Sequence, residues 1–253
     1  MTDFTKTLIR CSAIGMLMTE PRDAAAKKNG DLSKTAKTYL VETYIKAKYD
    51  REKDITTKQT SKGINQEGDG ISMLSMFYGE IFDKNEERFE NDFICGHPDV
   101  IRPDIGHLHD LKLSWDIWTF FDNLIEPLNS SYYGQIQGYM ALTGAKSGEI
   151  DYVLVDAAEN FINDEKRKLL YRMNVVSEES PEYIEAAAGV EINMIYPDIP
   201  LEEKILVFPV ERDEDYIERV YRKVEKAREF LQWFEEKHKM FNKTRNLAQN
   251  ITV

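Results

Sequence analysis

The sequence predicts an α/β fold, α+β in its detailed order, with a central mixed β-sheet that carries a β-hairpin and is flanked by helices. Three observations lead there. Phe93 to Ile101 and His107 to Trp115 are rich in β-branched and aromatic residues, and the intervening Arg102-Pro103-Asp104-Ile105-Gly106 has turn chemistry, so the two runs read as a hairpin. Apolar residues recur at helical spacing on both sides of it. A chain of 253 residues with 42% apolar content, no internal repeat and no Gly/Ser linker fits one continuous domain.

The elements follow in order. Ser12 to Met18 starts a short helix with Ser12 as its N-cap, and Glu20-Pro21-Arg22 ends it. Ser33 caps a helix that runs to Tyr49, with Leu40, Tyr44 and Ala47 at helical spacing. Gly63 to Tyr78 forms another, carrying Ile64, Glu67, Ile71, Leu74 and Met76 or Phe77. Beyond the hairpin, Ser131 to Thr143 reads as a helix closed by Gly144, Tyr152 to Val155 as a strand, and Lys204 to Val210 as another strand. Ile217, Val220, Tyr221, Val224, Phe230, Leu231 and Phe234 mark one face of a long closing helix whose charged face is solvated. Residues 160–200 show no readable pattern. The single domain 1–253 thus divides into a helical part over about 1–90, a core over about 91–160, and a C-terminal strand and helix over about 200–245.

Composition narrows the function. Two cysteines, Cys11 and Cys95, are too few for a disulfide framework or an all-thiolate zinc site, and they read as small buried apolar residues in a reducing compartment. Apolar runs are short and broken by charge, so neither export nor membrane insertion is expected, and the default location is the cytoplasm. A formal charge of −12 excludes a protein that coats nucleic acid through bulk electrostatics. From Glu20 to Lys62, however, eleven Lys/Arg stand against seven Asp/Glu, leaving this segment +4 and the rest of the chain −16. Both a solvated helical surface and a DNA-facing patch fit that excess.

The hairpin carries the chemistry. Residues two apart on a strand share a face, so Asp110 and Lys112 project together while Leu111 and Leu113 point the other way. In an antiparallel hairpin the strand ending in Asp99 lies alongside, bringing the carboxylates of Asp99 and Asp110 near enough to hold a common cation. Two adjacent carboxylates repel unless a cation sits between them. A hard divalent ion, Mg²⁺ or Mn²⁺, relieves that repulsion through oxygen ligands and still accepts a phosphate oxygen, the arrangement phosphodiester hydrolysis needs. Lys112 would orient or help deprotonate a water and stabilise charge on the phosphate. His97, His107 and His109 suggest zinc, but alternation turns His107 and His109 away from Asp110, and they read as neighbours of the site. Trp115, Trp118, Phe120 and Phe121 read as core or subunit contacts, with a base wedge as the alternative.

Together, Gly96-His97-Pro98-Asp99, Asp110-Leu111-Lys112, Gly63-Ile-Asn-Gln-Glu67 and Gln135-Ile-Gln-Gly-Tyr139 resemble the motifs of the PD-(D/E)XK nuclease superfamily. Within it they resemble the phage exonuclease branch of lambda exonuclease and the YqaJ-type viral recombinases. The resemblance covers most of the chain and implies a restriction-endonuclease-like core. It implies Glu67, Asp99, Asp110 and the main-chain carbonyl of Leu111 as ligands of Mg²⁺ or Mn²⁺, two ions per site, with Lys112 catalytic and Gln135 bracing the site. Gln137 is a rival for that bracing role because the register is ambiguous by two. Most of the family has glutamate where this chain has Asp110, one methylene shorter. The resemblance further assigns Arg10 and Ser12, with Gln137 and Tyr139, to DNA contact, although Ser12 also fits a plain N-cap.

The implied activity is hydrolysis of linear duplex DNA from its ends, 5′ to 3′, in recombination or DNA processing. Implied partners are DNA ends, a single-strand annealing protein and further copies of the chain in a ring, a trimer by resemblance. In a phage-encoded protein the location is the host cytoplasm. Two other readings stay open: a structure-selective or single-strand endonuclease, and a catalytically silent binding protein that kept the fold. Four core positions suited to catalysis, Glu67, Asp99, Asp110 and Lys112, weigh against the last.

Overall fold

The computed structural model describes residues 3–53, 57–125, 128–175 and 177–250. Its strands are β1 (Ile9–Arg10), β2 (Phe89–Glu90), β3 (Ile94–Gly96), β4 (Val100–Arg102), β5 (His107–Leu113), β6 (Ser147–Val153) and β7 (Ile205–Glu211). Its helices are α1 (Ile14–Leu17), α2 (Ala24–Lys28), α3 (Lys34–Tyr49), α4 (Lys58–Tyr78), α5 (Ile117–Asp122), α6 (Ser130–Thr143), α7 (Glu159–Met173), α8 (Pro181–Ile192) and α9 (Glu214–Asn250). The mixed sheet flanked by helices is the predicted class. Among the described residues no helix is long and apolar enough to cross a membrane.

The hairpin forms where expected, β4 antiparallel to β5, and the four-stranded sheet runs β4-β5-β6-β7 with β5 and β6 parallel. The run from Phe93 to Ile101 is not one strand. It breaks at His97-Pro98-Asp99, so β3 joins β1 and β2 in a separate three-stranded sheet and only β4 enters the larger one. Proline cannot donate to a ladder and biases the residue before it away from regular pairing, which is sufficient cause for the break.

Helices cover both faces of the larger sheet. On one, α6 packs near Leu108 and Gly148, within a core that includes Ile136, Met140, Ile150 and, from α9, Val224 and Leu231. On the other, α4 packs Ile71 and Leu74 against Leu111 and Val153. The α3 cap is the predicted one, with Ser33 Oγ accepting from the Ala36 N–H at 3.0 Å. Its buried face is Ala36, Tyr39, Leu40 and Tyr44, whereas Ala47 is exposed. Ile64 and Met76 of α4 are likewise exposed, since the helix rests on the sheet by a narrower stripe than the sequence suggested. The helix expected from Ser12 to Met18 is a 3₁₀ turn, Cys11–Ala13, followed by α1, and Ser12 makes no capping bond. Residues 160–200 fold largely as the helices α7 and α8, packed on each other.

Cys11 and Cys95 are both free and buried, as expected. Three lysines of the basic early segment are ion-paired within the chain: Lys46 with Glu52, Lys48 with Glu235 and Lys53 with Glu42. Lys62 is fully buried, its ammonium donating to the carbonyls of Ser114, Trp115 and Val155, each at 3.0 Å. It pins α4 to the ends of β5 and β6 and is not available to a DNA-facing surface. Burial pulls its pKa down to about 8, against the opposing pull of Asp116 and Asp156. Because three buried carbonyls depend on one side chain, Lys62→Met is expected to lower stability by about 2–4 kcal/mol in urea unfolding. A loss under 1 kcal/mol would show that these carbonyls find water instead.

Candidate active site

Pairing of Val100 with His109 in the β4/β5 ladder puts Asp99, one residue outside it, level with Asp110. The Asp99 Oδ2 accepts the Leu111 N–H at 2.7 Å, which anchors the His97-Pro98-Asp99 loop to β5. Asp110 is fully buried in the middle of β5. Among the described residues no donor is aligned on its Oδ2, which instead faces the Lys112 ammonium at 2.8 Å. Asp110 and Lys112 share the face covered by α6, and Leu111 and Leu113 face α4, as strand alternation requires.

Gln135 of α6 reaches into this pair. Its Oε1 accepts from Lys112 Nζ at 3.4 Å, and its Nε2 lies 3.5 Å from Asp110 Oδ1 and donates to the Tyr139 hydroxyl at 2.9 Å. Gln137 points elsewhere. It is fully buried, donating to the Glu211 carbonyl at 2.8 Å and accepting the Asp213 N–H at 2.9 Å, so it joins α6 to the link between β7 and α9. Of the two glutamines, Gln135 is the one that reaches Asp110 and Lys112, while Gln137 is buried away from them. Tyr139 is also buried, its hydroxyl serving Gln135 and not an open surface.

Close approach of α6 to the site depends on missing side chains. A Cβ on Gly96 would lie 2.6 Å from Tyr139 Cε1, and one on Gly138 would lie 2.5 Å from Ile14 Cδ1 and 2.8 Å from Cys11 Sγ. Arg10 and Ser12 flank buried Cys11 at this corner and are both exposed. Glu67 arrives from α4, half-buried and paired with Lys84 at 3.0 Å. Tyr132, which the sequence reading did not single out, presents its ring 4.8 Å from Lys112 Nζ. Its position three residues before Gln135 and seven before Tyr139 marks one helix face, which was the available signal.

The acids are short of positive charge. Burial raises the Asp99 carboxyl well above the usual carboxylate range, Asp110 and more weakly Glu67 add to that, and Lys112 and the Leu111 N–H oppose it. Burial works against the Lys112 ammonium, but Asp110 and Asp99 outweigh it and hold the side chain protonated more firmly than an ordinary lysine. The histidines lie apart from this pocket: His97 is exposed, while His107 and His109 project from the α4 side of β5 beside Glu149. Of the aromatic cluster, Phe120 is core and Trp115 packs on Phe161, but Trp118 and Phe121 are exposed.

No family model matches the chain, and no curated protein does. Solved structures match over almost its whole length. A phage-related exonuclease from Haemophilus somnus 129PT is 26% identical with a TM-score of 0.74, covering 92% of this chain and 97% of its own. An alkaline exonuclease from Laribacter hongkongensis is 14% identical with a TM-score of 0.60 and 96% coverage of both chains. The same enzyme in complex with dAMP is 15% identical, with a TM-score of 0.60 and 97% coverage of both.

The raised Asp99 carboxyl sets a pH test. A group with a folded pKa above its unfolded value of about 3.9 adds stability fully below that value and loses it as pH rises through the folded one. In chelator, Asp99→Asn is therefore expected to raise the Tm at neutral pH, with the gain shrinking toward zero as the pH falls below about 4. A lower Tm for the variant at neutral pH would contradict this.

Proposed function

We propose that this chain, which has the fold of phage-related exonucleases and resembles the PD-(D/E)XK type, is a metal-dependent deoxyribonuclease that degrades linear duplex DNA from its ends. The observation that carries this reading is the cluster of Asp99, Asp110, Lys112 and Gln135 built on β5, the loop before β4 and α6, in a fold shared over almost the whole chain with exonucleases. The residues present fit a divalent cation, since Asp99 and Asp110 lie level in the hairpin with the Lys112 ammonium on Asp110 Oδ2, and burial followed by the Asp110 charge still raises the Asp99 carboxyl. Glu67, Asp99, Asp110 and the Leu111 carbonyl would hold Mg²⁺ or Mn²⁺, with two ions in the full site. Such an ion, when bound, supplies positive charge to the scissile phosphate and acidity to an attacking water.

In hydrolysis, water adds to phosphorus, the bridging P–O bond breaks, and the departing oxygen takes a proton. Lys112 enters as an ammonium, which suits it to stabilising charge on the phosphate and orienting the water better than to accepting a proton. Gln135 holds Lys112 and Asp110 in register, and Tyr139 fixes which end of the Gln135 amide meets which partner. Asp99 and Asp110 lie level in the hairpin; Glu67 of α4 is assigned to the same site by resemblance and adds weakly to the negative field on Asp99. Arg10 and Ser12, exposed at the corner beside Gly96, are assigned to the DNA end, by resemblance and by that position.

The finer features rest on resemblance: 5′ to 3′ polarity, a ring-shaped homo-oligomer with trimer favoured, an annealing protein as partner, and work in the host cytoplasm. A ring reconciles the −12 charge with DNA binding by placing the basic residues of the early segment toward its bore. The decisive test is digestion of end-labelled linear duplex and covalently closed circles with Mg²⁺, Mn²⁺ or chelator. Linear DNA is expected to be consumed only with metal while circles persist, and Lys112→Ala is expected to lose about 10²–10³-fold in rate. Cutting of circles would favour the endonuclease reading, and inert protein that still binds ends would favour the silent one. Unchanged activity in Lys112→Ala would refute the assigned site.

A further inference from the structure

The back of the same sheet holds a second group of metal-type donors, independent of the carboxylate pocket. Parallel pairing of β5 with β6 sets His107 level with Ser147, His109 with Glu149 and Leu111 with Asp151. His107, His109, Glu149 and Asp151 therefore fall on one face, opposite Asp110. One ligand atom from each of His107, His109 and Glu149 lies within 4.8 Å of the others. His107 Nε2 is 3.7 Å from Glu149 Oε1, and His109 Nδ1 is 3.5 Å from Glu149 Oε2 and 2.9 Å from Asp151 Oδ2. The Tyr78 hydroxyl donates to Glu149 Oε2 at 2.5 Å, orienting that carboxylate from α4.

A purely hydrogen-bonded network leaves this group incomplete. His109 and Asp151 are almost wholly buried, and His109 Nε2 and Asp151 Oδ1 have no aligned partner among the described residues. Two carboxylates facing two imidazoles also leave negative charge in a poorly solvated place, flanked by the Tyr78 and Phe82 rings. A divalent cation closes that balance. The pocket of Asp99 and Asp110 offers only oxygen and suits hard ions, whereas two imidazoles and a carboxylate suit a borderline ion such as zinc, with ligand bonds of about 2.0–2.2 Å. Tetrahedral bonds of that length put donors about 3.4 Å apart, so small side-chain rotations bring the three onto one ion. His107 and Glu149 keep 14% and 18% of their side chains exposed, which gives the ion a way in at the start of β5.

We propose that His107, His109 and Glu149, backed by Asp151, form a binding site for one divalent transition-metal ion, zinc by its ligand chemistry, which ties β5 to β6 behind the strand that carries Asp110 and Lys112. The test is zinc content per chain after dialysis against Zn²⁺ in excess Mg²⁺, measured by mass spectrometry, together with the Tm with and without zinc. One zinc is expected in an Asp110→Asn variant, where the carboxylate pocket is impaired, and its loss is expected in His107→Gln and in Glu149→Gln. Zinc is expected to raise the Tm of Asp110→Asn by several degrees and to leave that of His107→Gln unchanged. A readout on unaltered residues completes the set: bound zinc should protect His107 from diethyl pyrocarbonate, seen by peptide mass. Zinc content that survives both cluster substitutions, no zinc on Asp110→Asn, or His107 modified equally fast with and without zinc would each overturn the proposal.

Discussion

Opposition of Asp99 and Asp110 across the β4/β5 hairpin is the constraint on which the rest of the site depends. Two carboxylates held level, one in the strand and one just outside the ladder, repel each other and lose hydration, and neither cost is recovered by packing. The chain answers with fixed positive and polar groups: the Leu111 N–H on Asp99, the Lys112 ammonium on Asp110, and the Gln135 amide between Lys112 and Asp110. The first two come from consecutive residues of β5 and the third from α6. Strain in the electrostatics is thereby shared between the hairpin and α6, and the pocket stays poised for further positive charge.

That arrangement dictates unusual closeness between layers. For Gln135 to reach Lys112, α6 must lie almost on β3 and the Cys11 corner, and Gly96 and Gly138 provide the space. The buried thiol of Cys11 then fills the gap that remains, its ionisation suppressed first by burial and then by Cys95 and Asp110. On the far face, α4 is held by Lys62 at one end and by Tyr78 at the other, so the helix bearing Glu67 is fixed at both ends relative to β5. Glu67 sits between these anchors, close enough for its charge to bear weakly on Asp99.

Much of this was legible beforehand, and the parts that were not have physical reasons. Strand alternation was enough to place Asp110 with Lys112 and to send His107 and His109 to the other face, because the period of two is steric and tolerates no exception within a regular strand. The hairpin turn was equally local. The break at Pro98 was visible as a proline, but its consequence, two sheets where one was read, depends on long-range pairing that no local pattern encodes. The choice between Gln135 and Gln137 was likewise tertiary, decided by the docking of β7 and Asp213 onto α6. Lys62 misled for a related reason: its charge counts as surface in any composition, yet three carbonyls at strand ends make its burial tolerable.

The polar back of β5 shows why the two faces should be considered together. His109 and Asp110 are consecutive, so a displacement of one along the strand moves the other, and both sit where burial leaves a polar atom without an aligned partner. A core of apolar side chains across β5 and β6 on that face would have held the sheet with less electrostatic cost. Imidazoles and carboxylates stand there instead, so this stretch of the sheet carries buried polar groups on both faces, Asp110 on one and His109 with Asp151 on the other.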